Sequence, residues 1–459
     1  MFLRKKQQQN AMVIKRPKLS STQIIALMFL GIIALGTVLL SLPVASRNGV
    51  SCGFLPAVFT ATSATCVTGL VVFDTWTQWS GFGQIVILCL IELGGLGFMT
   101  AASLVIFLLR KKVGVRQRMV MAQALNLSDM DGVVRLQKWV LAGSLIIQAT
   151  GALILILHFL PSYGWETAVK WGVFHAVSAF CNAGFDIVGV IQPGASMMVF
   201  NHDPVVLLTL SALVVLGGLG FFVWEEVVRV HRWKDFSVYT KLVLVMTVTL
   251  LLGGTVGFCL LEWNNPDTLG PMSLPQKLLN GFFQSVTVRT AGFMAVDQAF
   301  LTEGGKALSM ALMLIGGSSG STAGGVKTVT ILVLVLFIFA RARGRSTVSV
   351  FKRTIPASQV MDAMTITAIV VVLAFLGAII ITATSPVGFT DGLYESVSAL
   401  ATVGLSSGGT ANLSLVAKIL IIIYMYFGRV GVLTLSLGFL MGNKAEERFR
   451  YANTNLLIG

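Results

Sequence analysis

Residues 316 to 328, "GGSSGSTAGGVKT", set small and hydroxyl side chains and one lysine between the apolar stretches "ALSMALMLI" and "VTILVLVLFIFA". Two chemistries fit such a run. A phosphate-binding loop needs two glycines four residues apart, followed directly by Lys and Ser or Thr. Gly320 and Gly325 keep that spacing, but Val326 intrudes before Lys327 and Thr328. The other possibility is irregular backbone at membrane depth, which is tolerated only where it is buried in protein or lines a watery cavity.

A second set of small residues recurs along the chain. "PAVFTATSATCVTGL" (56 to 70), "WGVFHAVSAFCNAGF" (171 to 185), "GFFQSVTVRTAGF" (281 to 293) and "DGLYESVSALATVGL" (391 to 405) share an aromatic, a Ser or Thr four residues on, and then a glycine followed by Leu or Phe. The glycines are Gly69, Gly184, Gly292 and Gly404, spaced by 115, 108 and 112 residues, a period that marks internal duplication. A further glycine landmark follows each: "LGGLGF" at 93 and at 216, "IGGSSG" at 315 and "FGRVG" at 427. Half-helices of about ten residues are too short to span a bilayer, so each repeat reads as helix, re-entrant half-helix, tight glycine loop, helix. Glycine admits the close approach and unusual dihedrals that turn backbone carbonyls toward a shared axis. Carbonyl rings replace the hydration shell of potassium, and the negative C-terminal ends of half-helices favour a cation.

The rest of the chain must hold these loops in place. With 55% hydrophobic and 11% charged residues, it is too apolar for a soluble globular protein. The run from 24 to 42 is long enough to span and has no small-residue cleavage site, so it is expected to stay. The net charge of +14 is not a nucleic-acid signal, because 25 of the 33 Lys and Arg residues cluster at alternate ends of the apolar segments. The positive-inside rule then puts both termini in the cytoplasm and reads the protein as multi-pass. The five cysteines are scattered and form no disulfide framework or metal pair. The expected fold is all-α integral membrane, with four tandem repeats, eight transmembrane helices and a pseudo-fourfold pore. Its expected divisions are a basic N-terminus (1 to 20), repeat 1 (21 to 110), a cytosolic loop (111 to 138), repeat 2 (139 to 230), repeat 3 (231 to 340), a second cytosolic loop (341 to 362), repeat 4 (363 to 441) and a tail (442 to 459).

The runs "TCVTGLVV", "FCNAGF", "VRTAGF" and "ATVGL", with "GGLGF" twice and the Gly/Ser/Thr run, resemble the Trk/Ktr/HKT superfamily of potassium transporters, and most of all its Ktr-type membrane subunits. The resemblance covers nearly the whole chain from about residue 20. It implies a selectivity filter at Cys66, Val67, Thr68 and Gly69; Cys181, Asn182, Ala183 and Gly184; Arg289, Thr290, Ala291 and Gly292; and Ala401, Thr402, Val403 and Gly404. All-glycine filters go with potassium preference in that family, and a serine in the first repeat with sodium. It also implies an intramembrane gate at Gly316, Gly317, Ser318, Ser319, Gly320, Ser321, Thr322, Ala323, Gly324 and Gly325, with Arg429 beside it and Lys327 as a further intramembrane charge. By resemblance again, the subunit is a homodimer in the cell membrane on a cytosolic ring of RCK-type subunits. That ring, rather than this chain, would bind ATP or ADP, and sodium stimulates uptake in related systems.

Other residues have plainer expected roles. Gly94, Gly95, Gly97, Gly217, Gly218 and Gly220 are expected to serve helix packing. Lys327 and Arg429 stand in apolar surroundings, where a charge is costly enough to suggest function. Arg289 is expected to point behind the filter, with Glu395 as one candidate partner. His175 is expected to be a hydrogen-bonded half-helix residue, and Asn182 to lend its carbonyl or brace the loop. The four histidines are isolated, and no HExxH motif suggests an enzyme. Inverted-repeat transporters also have broken helices, but their repeats enter from opposite sides, whereas all four units here start on one side.

Overall fold

The computed structural model describes residues 21–97 and 133–431; the expected N-terminal segment, most of the first cytosolic loop and the C-terminal tail lie outside them. The chain makes four similar excursions. The first comprises α1 (Ser21–Ser41), the half-helix α2 (Phe54–Thr65) and α3 (Gly81–Gly95). The second has α4 (Val133–Phe180), α5 (Pro204–Leu219) and α6 (Phe221–Val230). Gly164, at φ 74° and ψ 169°, breaks α4, so its last part is the second half-helix. The third comprises α7 (Val238–Glu262), the half-helix α8 (Leu274–Thr287), α9 (Glu303–Leu314) and α10 (Thr328–Ala342). The fourth comprises α11 (Ala357–Thr384), the half-helix α12 (Phe389–Leu400) and α13 (Leu415–Val430).

Caps explain where the returning helices begin. Ser80, Asp203, Thr302 and Ser414 each accept a hydrogen bond from a backbone N–H in the first turn of α3, α5, α9 and α13. Each thereby satisfies a donor that the helix cannot. α4 and α11 start inside the stretches expected as cytosolic loops, because the basic residues mark a polarity edge and not a helix end. Between α10 and α11 the chain makes a hairpin pairing Ser349 with Thr354 and Val350 with Arg353. Its turn residues Phe351 and Lys352 have φ of 46° and 61°, the left-handed pair of a two-residue hairpin turn.

Helices long and apolar enough to cross a membrane run over Gln23–Ser41, Gln137–Phe180, Val238–Glu262 and Ala357–Thr384. Within the described residues each returning helix ends at a glycine landmark. Gly97 (φ 81°) follows α3, Gly220 (φ 95°) bends α5 against α6 by 94°, and Gly431 (φ 94°) ends α13. In the third excursion the Gly/Ser/Thr run itself separates α9 from α10. A plain returning helix was expected in all but the third; a left-handed glycine stops the helix in each of the others.

The half-helices are held by their repeated aromatics. Phe59, Phe174, Phe283 and Tyr394 are all buried. Small residues let the half-helices approach the long helices. A side chain on Gly254 of α7 would meet Ser285, and one on Gly377 of α11 would meet Ser396. Those serines donate to carbonyls of the long helices, Ser285 to Leu251 at 2.9 Å and Ser396 to Ala374 at 2.9 Å.

Candidate functional site

Each half-helix runs into a loop with the same backbone signature. Two residues before each glycine, Val67, Asn182, Thr290 and Thr402 have φ of 55°, 60°, 65° and 51°. The glycines Gly69, Gly184, Gly292 and Gly404 follow at 95°, 68°, 83° and 94°. Left-handed backbone at β-branched Val and Thr costs about 1–3 kcal/mol each and concentrates at functional sites. Nothing in the side chains signals this strain; only the fixed offset from the glycine does.

The four loops close a ring. A side chain on Gly69 would meet the Ala183 carbonyl oxygen at 2.5 Å, and one on Gly184 the Ala291 oxygen at 2.7 Å. One on Gly292 would meet the Val403 oxygen at 2.5 Å, and one on Gly404 would strike the Thr68 oxygen. The order thus returns to its start, and no glycine in it can carry a side chain without displacing the next loop. Cys66, Val67, Thr68, Cys181, Ala183, Ala291, Ala401 and Val403 are buried around this ring. The polar groups it presents are carbonyls, the hydroxyls of Thr68, Thr290 and Thr402, and the Asn182 amide, a set suited to a dehydrated monovalent cation. Among the described residues no group of three His, Cys, Asp or Glu could hold a metal ion.

The shared hydroxyl of the half-helices braces the loops. Ser63 and Ser398 accept from the N–H groups of Gly69 and Gly404, both at 3.1 Å. Ser178 and Thr287 instead donate to the carbonyls of Phe185 and Phe293, both at 2.7 Å. His175 accepts from the Ile187 N–H at 3.2 Å, the structural role expected of it.

The Gly/Ser/Thr run packs against the start of these loops, at the C-terminal ends of the half-helices. Its two ends pair, Gly316 N–H donating to Val326 O at 2.9 Å and Thr328 N–H to Gly317 O at 3.1 Å. Ser318 donates to Gly218 O at 3.0 Å, Thr322 to Gly217 O at 3.2 Å, and Phe221 to Gly320 O at 2.8 Å. The Tyr239 hydroxyl donates to Ser319 O at 3.0 Å, and Ser321 Oγ to Ser318 O at 2.7 Å. Thr322 Oγ1 donates to Phe180 O at 3.0 Å. Gly324 stands against Thr402, and a side chain on Gly325 would meet the Ala401 oxygen at 3.2 Å. Lys327 Nζ donates to Ala323 O at 2.8 Å, so it ties the run to itself.

Arg429 reaches the same run. Its guanidinium donates to the carbonyls of Thr322 and Gly94 and, at 3.0 Å, to that of Gly95. The glycines expected only to pack therefore do more. A side chain on Gly94 would strike the Thr65 carbonyl and one on Gly217 the Phe180 carbonyl, yet the carbonyls of Gly94, Gly95, Gly217 and Gly218 also hold Arg429 and the run. Asn182 sits where two loops and the run meet: in one amide orientation it faces Arg289 O and Thr290 Oγ1 at 3.5 Å, in the other Phe180 O and Val214 O at 3.3 Å.

Arg289 is buried, against a small cavity also lined by Gly218, Thr247 and Gly317. The candidate pairing with Glu395 does not form. Among the described residues Arg289 has no carboxylate within 4 Å, and Glu395 is occupied by Ser406 and Thr410. Sequence reasoning passed over Glu92, the one acid of "ILCLIELGG". It accepts from Cys181 Sγ at 3.3 Å and from Gln148 Nε2 at 3.1 Å, joining α3 to the second loop; a lone acid in an apolar helix was the available signal.

Comparison with known proteins agrees with this architecture. The chain matches the TrkH family, described as cation transport proteins, over residues 19–449. It is 39% identical to the potassium/sodium uptake protein NtpJ of Enterococcus hirae, over 97% of this chain and 98% of that one. It is 38% identical to the Ktr system potassium uptake protein B of Bacillus subtilis, over 97% and 98% of the two chains. Its fold is that of the potassium transporter TrkH from Vibrio parahaemolyticus, with a TM-score of 0.70, 20% identity, and coverage of 94% of this chain and 86% of the other. The chain, all-α with several membrane-length apolar helices, is an integral membrane protein of the TrkH family of cation transport proteins, and so a transporter and not an enzyme.

Proposed function

We propose that this chain is the ion-conducting subunit of a potassium uptake system. The carrying observation is the closed ring of Gly69, Gly184, Gly292 and Gly404, each abutting the carbonyl next to the following glycine. Such a ring leaves backbone oxygens as the ligands that replace an ion's water. The names of the relatives support the choice of potassium, and the name of NtpJ adds sodium as a second transported ion.

In this reading the four loops are the filter and residues 316–325 are the gate beneath it, held by Arg429 and Lys327. Both termini face the cytoplasm, the protein lies in the cell membrane as a homodimer, and an RCK-type cytosolic ring that binds ATP or ADP controls the gate. The test is growth rescue and rubidium uptake in cells lacking their own potassium uptake, with and without a matching ring subunit. Uptake that rises with the ring subunit and favours rubidium over sodium supports the selectivity and the partner. Sodium uptake independent of any ring overturns the selectivity and the partner together.

A further inference from the structure

The residue after the repeated aromatic differs in each half-helix: Thr60, His175, Gln284 and Glu395, all buried. Three of these positions fasten the segment that follows their own loop. His175 holds the N–H of Ile187 at 3.2 Å. Gln284 pairs with Gln298, whose Oε1 also accepts from the Tyr394 hydroxyl. Glu395 accepts from Ser406 Oγ at 2.5 Å through Oε1 and from Thr410 Oγ1 at 2.6 Å through Oε2. Only the fourth of these positions carries an acid.

A hydroxyl on each oxygen, at distances found in O–H···O⁻ bonds, suits a carboxylate. Its side chain has no exposure, and among the described residues no Lys, Arg or His comes within 4 Å of it. Lys306, on neighbouring α9, is taken at 2.9 Å by Asp391 on the same half-helix as Glu395. A buried charge without a counter-charge is costly and persists where function uses it. The segment from 406 to 410 leaves the fourth loop on the side opposite the 316–325 run, which abuts Ala401 and Thr402. A cation at that mouth is the counter-charge the fold leaves open.

We infer that Glu395 is the fixed negative charge that sets cation affinity at the mouth of the ring, with the fourth repeat as its sole source among the matching positions. This rests on the transport reading above, and rubidium uptake by the unaltered chain checks that reading separately. If the unaltered chain carries no rubidium, the transport reading fails; if it does, the variants judge Glu395. Glu395→Gln keeps the shape and removes the charge. It is expected to raise the rubidium concentration for half-maximal uptake about tenfold, more than it lowers the maximal rate per molecule in the membrane. Glu395→Asp, which keeps the charge, brings half-saturation back toward the parent value. An unchanged half-saturation in Glu395→Gln, or a shift in Glu395→Asp as large as that in Glu395→Gln, overturns the inference. Should Glu395→Gln fail to reach the membrane, Gln284→Glu decides, since a second carboxylate at the matching position must lower half-saturation; a value at or above the parent's overturns it.

Discussion

Arg429, near the end of the last returning helix, donates its guanidinium to the carbonyl of Thr322 in the middle of the Gly/Ser/Thr run, and through a second nitrogen to Gly94 and Gly95. One side chain therefore fastens the run to the first repeat from the fourth. Hydrogen bonds from a charged donor contribute about 1.5–3 kcal/mol each, and about 1.4 kcal/mol is a factor of ten in an equilibrium. Arg429→Ala is expected to raise rubidium uptake in cells without a ring subunit about tenfold or more. Reduced uptake with normal membrane abundance would mean that Arg429 supports conduction instead of closure.

Gly69 has φ of 95° and faces the Ala183 oxygen, so Gly69→Ser adds both backbone strain and a displaced neighbour. The strain is about 1–3 kcal/mol and falls on the ring itself. The preference for rubidium over sodium is expected to drop about tenfold, measured as uptake of each ion in competition. Unchanged selectivity would mean that Gly69 takes no part in choosing the ion.

The repeats were legible because their signals are local: an aromatic, a hydroxyl and a glycine at fixed offsets. The N-caps Ser80, Asp203, Thr302 and Ser414 are residue types that favour helix starts, but the sequence analysis drew no helix start from them. What was not legible depends on contacts between repeats. Nothing in "LGGLGF" says that the Gly94 and Gly217 carbonyls receive Arg429 and Thr322, 335 and 105 residues later in the chain. The partner of Arg289 was misjudged for the same reason, because the hydroxyls that occupy Glu395 come from the segment after the fourth loop.

The run between α9 and α10 is held at both ends and across to Gly217, Gly218 and Phe180. If it closes the path below the ring, shortening it opens the path without touching the ring. Removing part of 317 to 324 is expected to raise uptake in the absence of a ring subunit while leaving the rubidium-to-sodium ratio close to the parent value. Lower flux from a properly assembled protein would rule out a closing role. A changed ratio would show that the run also shapes the ring.

Two glycines separate packing from flexibility. Around Gly217 the space for a side chain is filled by the Phe180 carbonyl, with Asn182 Oδ1 and Thr322 Oγ1 both at 2.8 Å. Around Gly31, exposed on α1, there is nothing within 4 Å. Gly217→Ala must push backbone away from backbone at the junction of the second loop and the run, and is expected to cost about 3 kcal/mol or more. Gly31→Ala meets no obstacle and removes a poor helix former, a gain of up to about 1 kcal/mol. Melting temperatures of the purified protein in detergent should thus move in opposite directions. Equal melting for the two variants would mean that α5 and the half-helix ending at Phe180 are not in the close contact on which the ring and its floor depend.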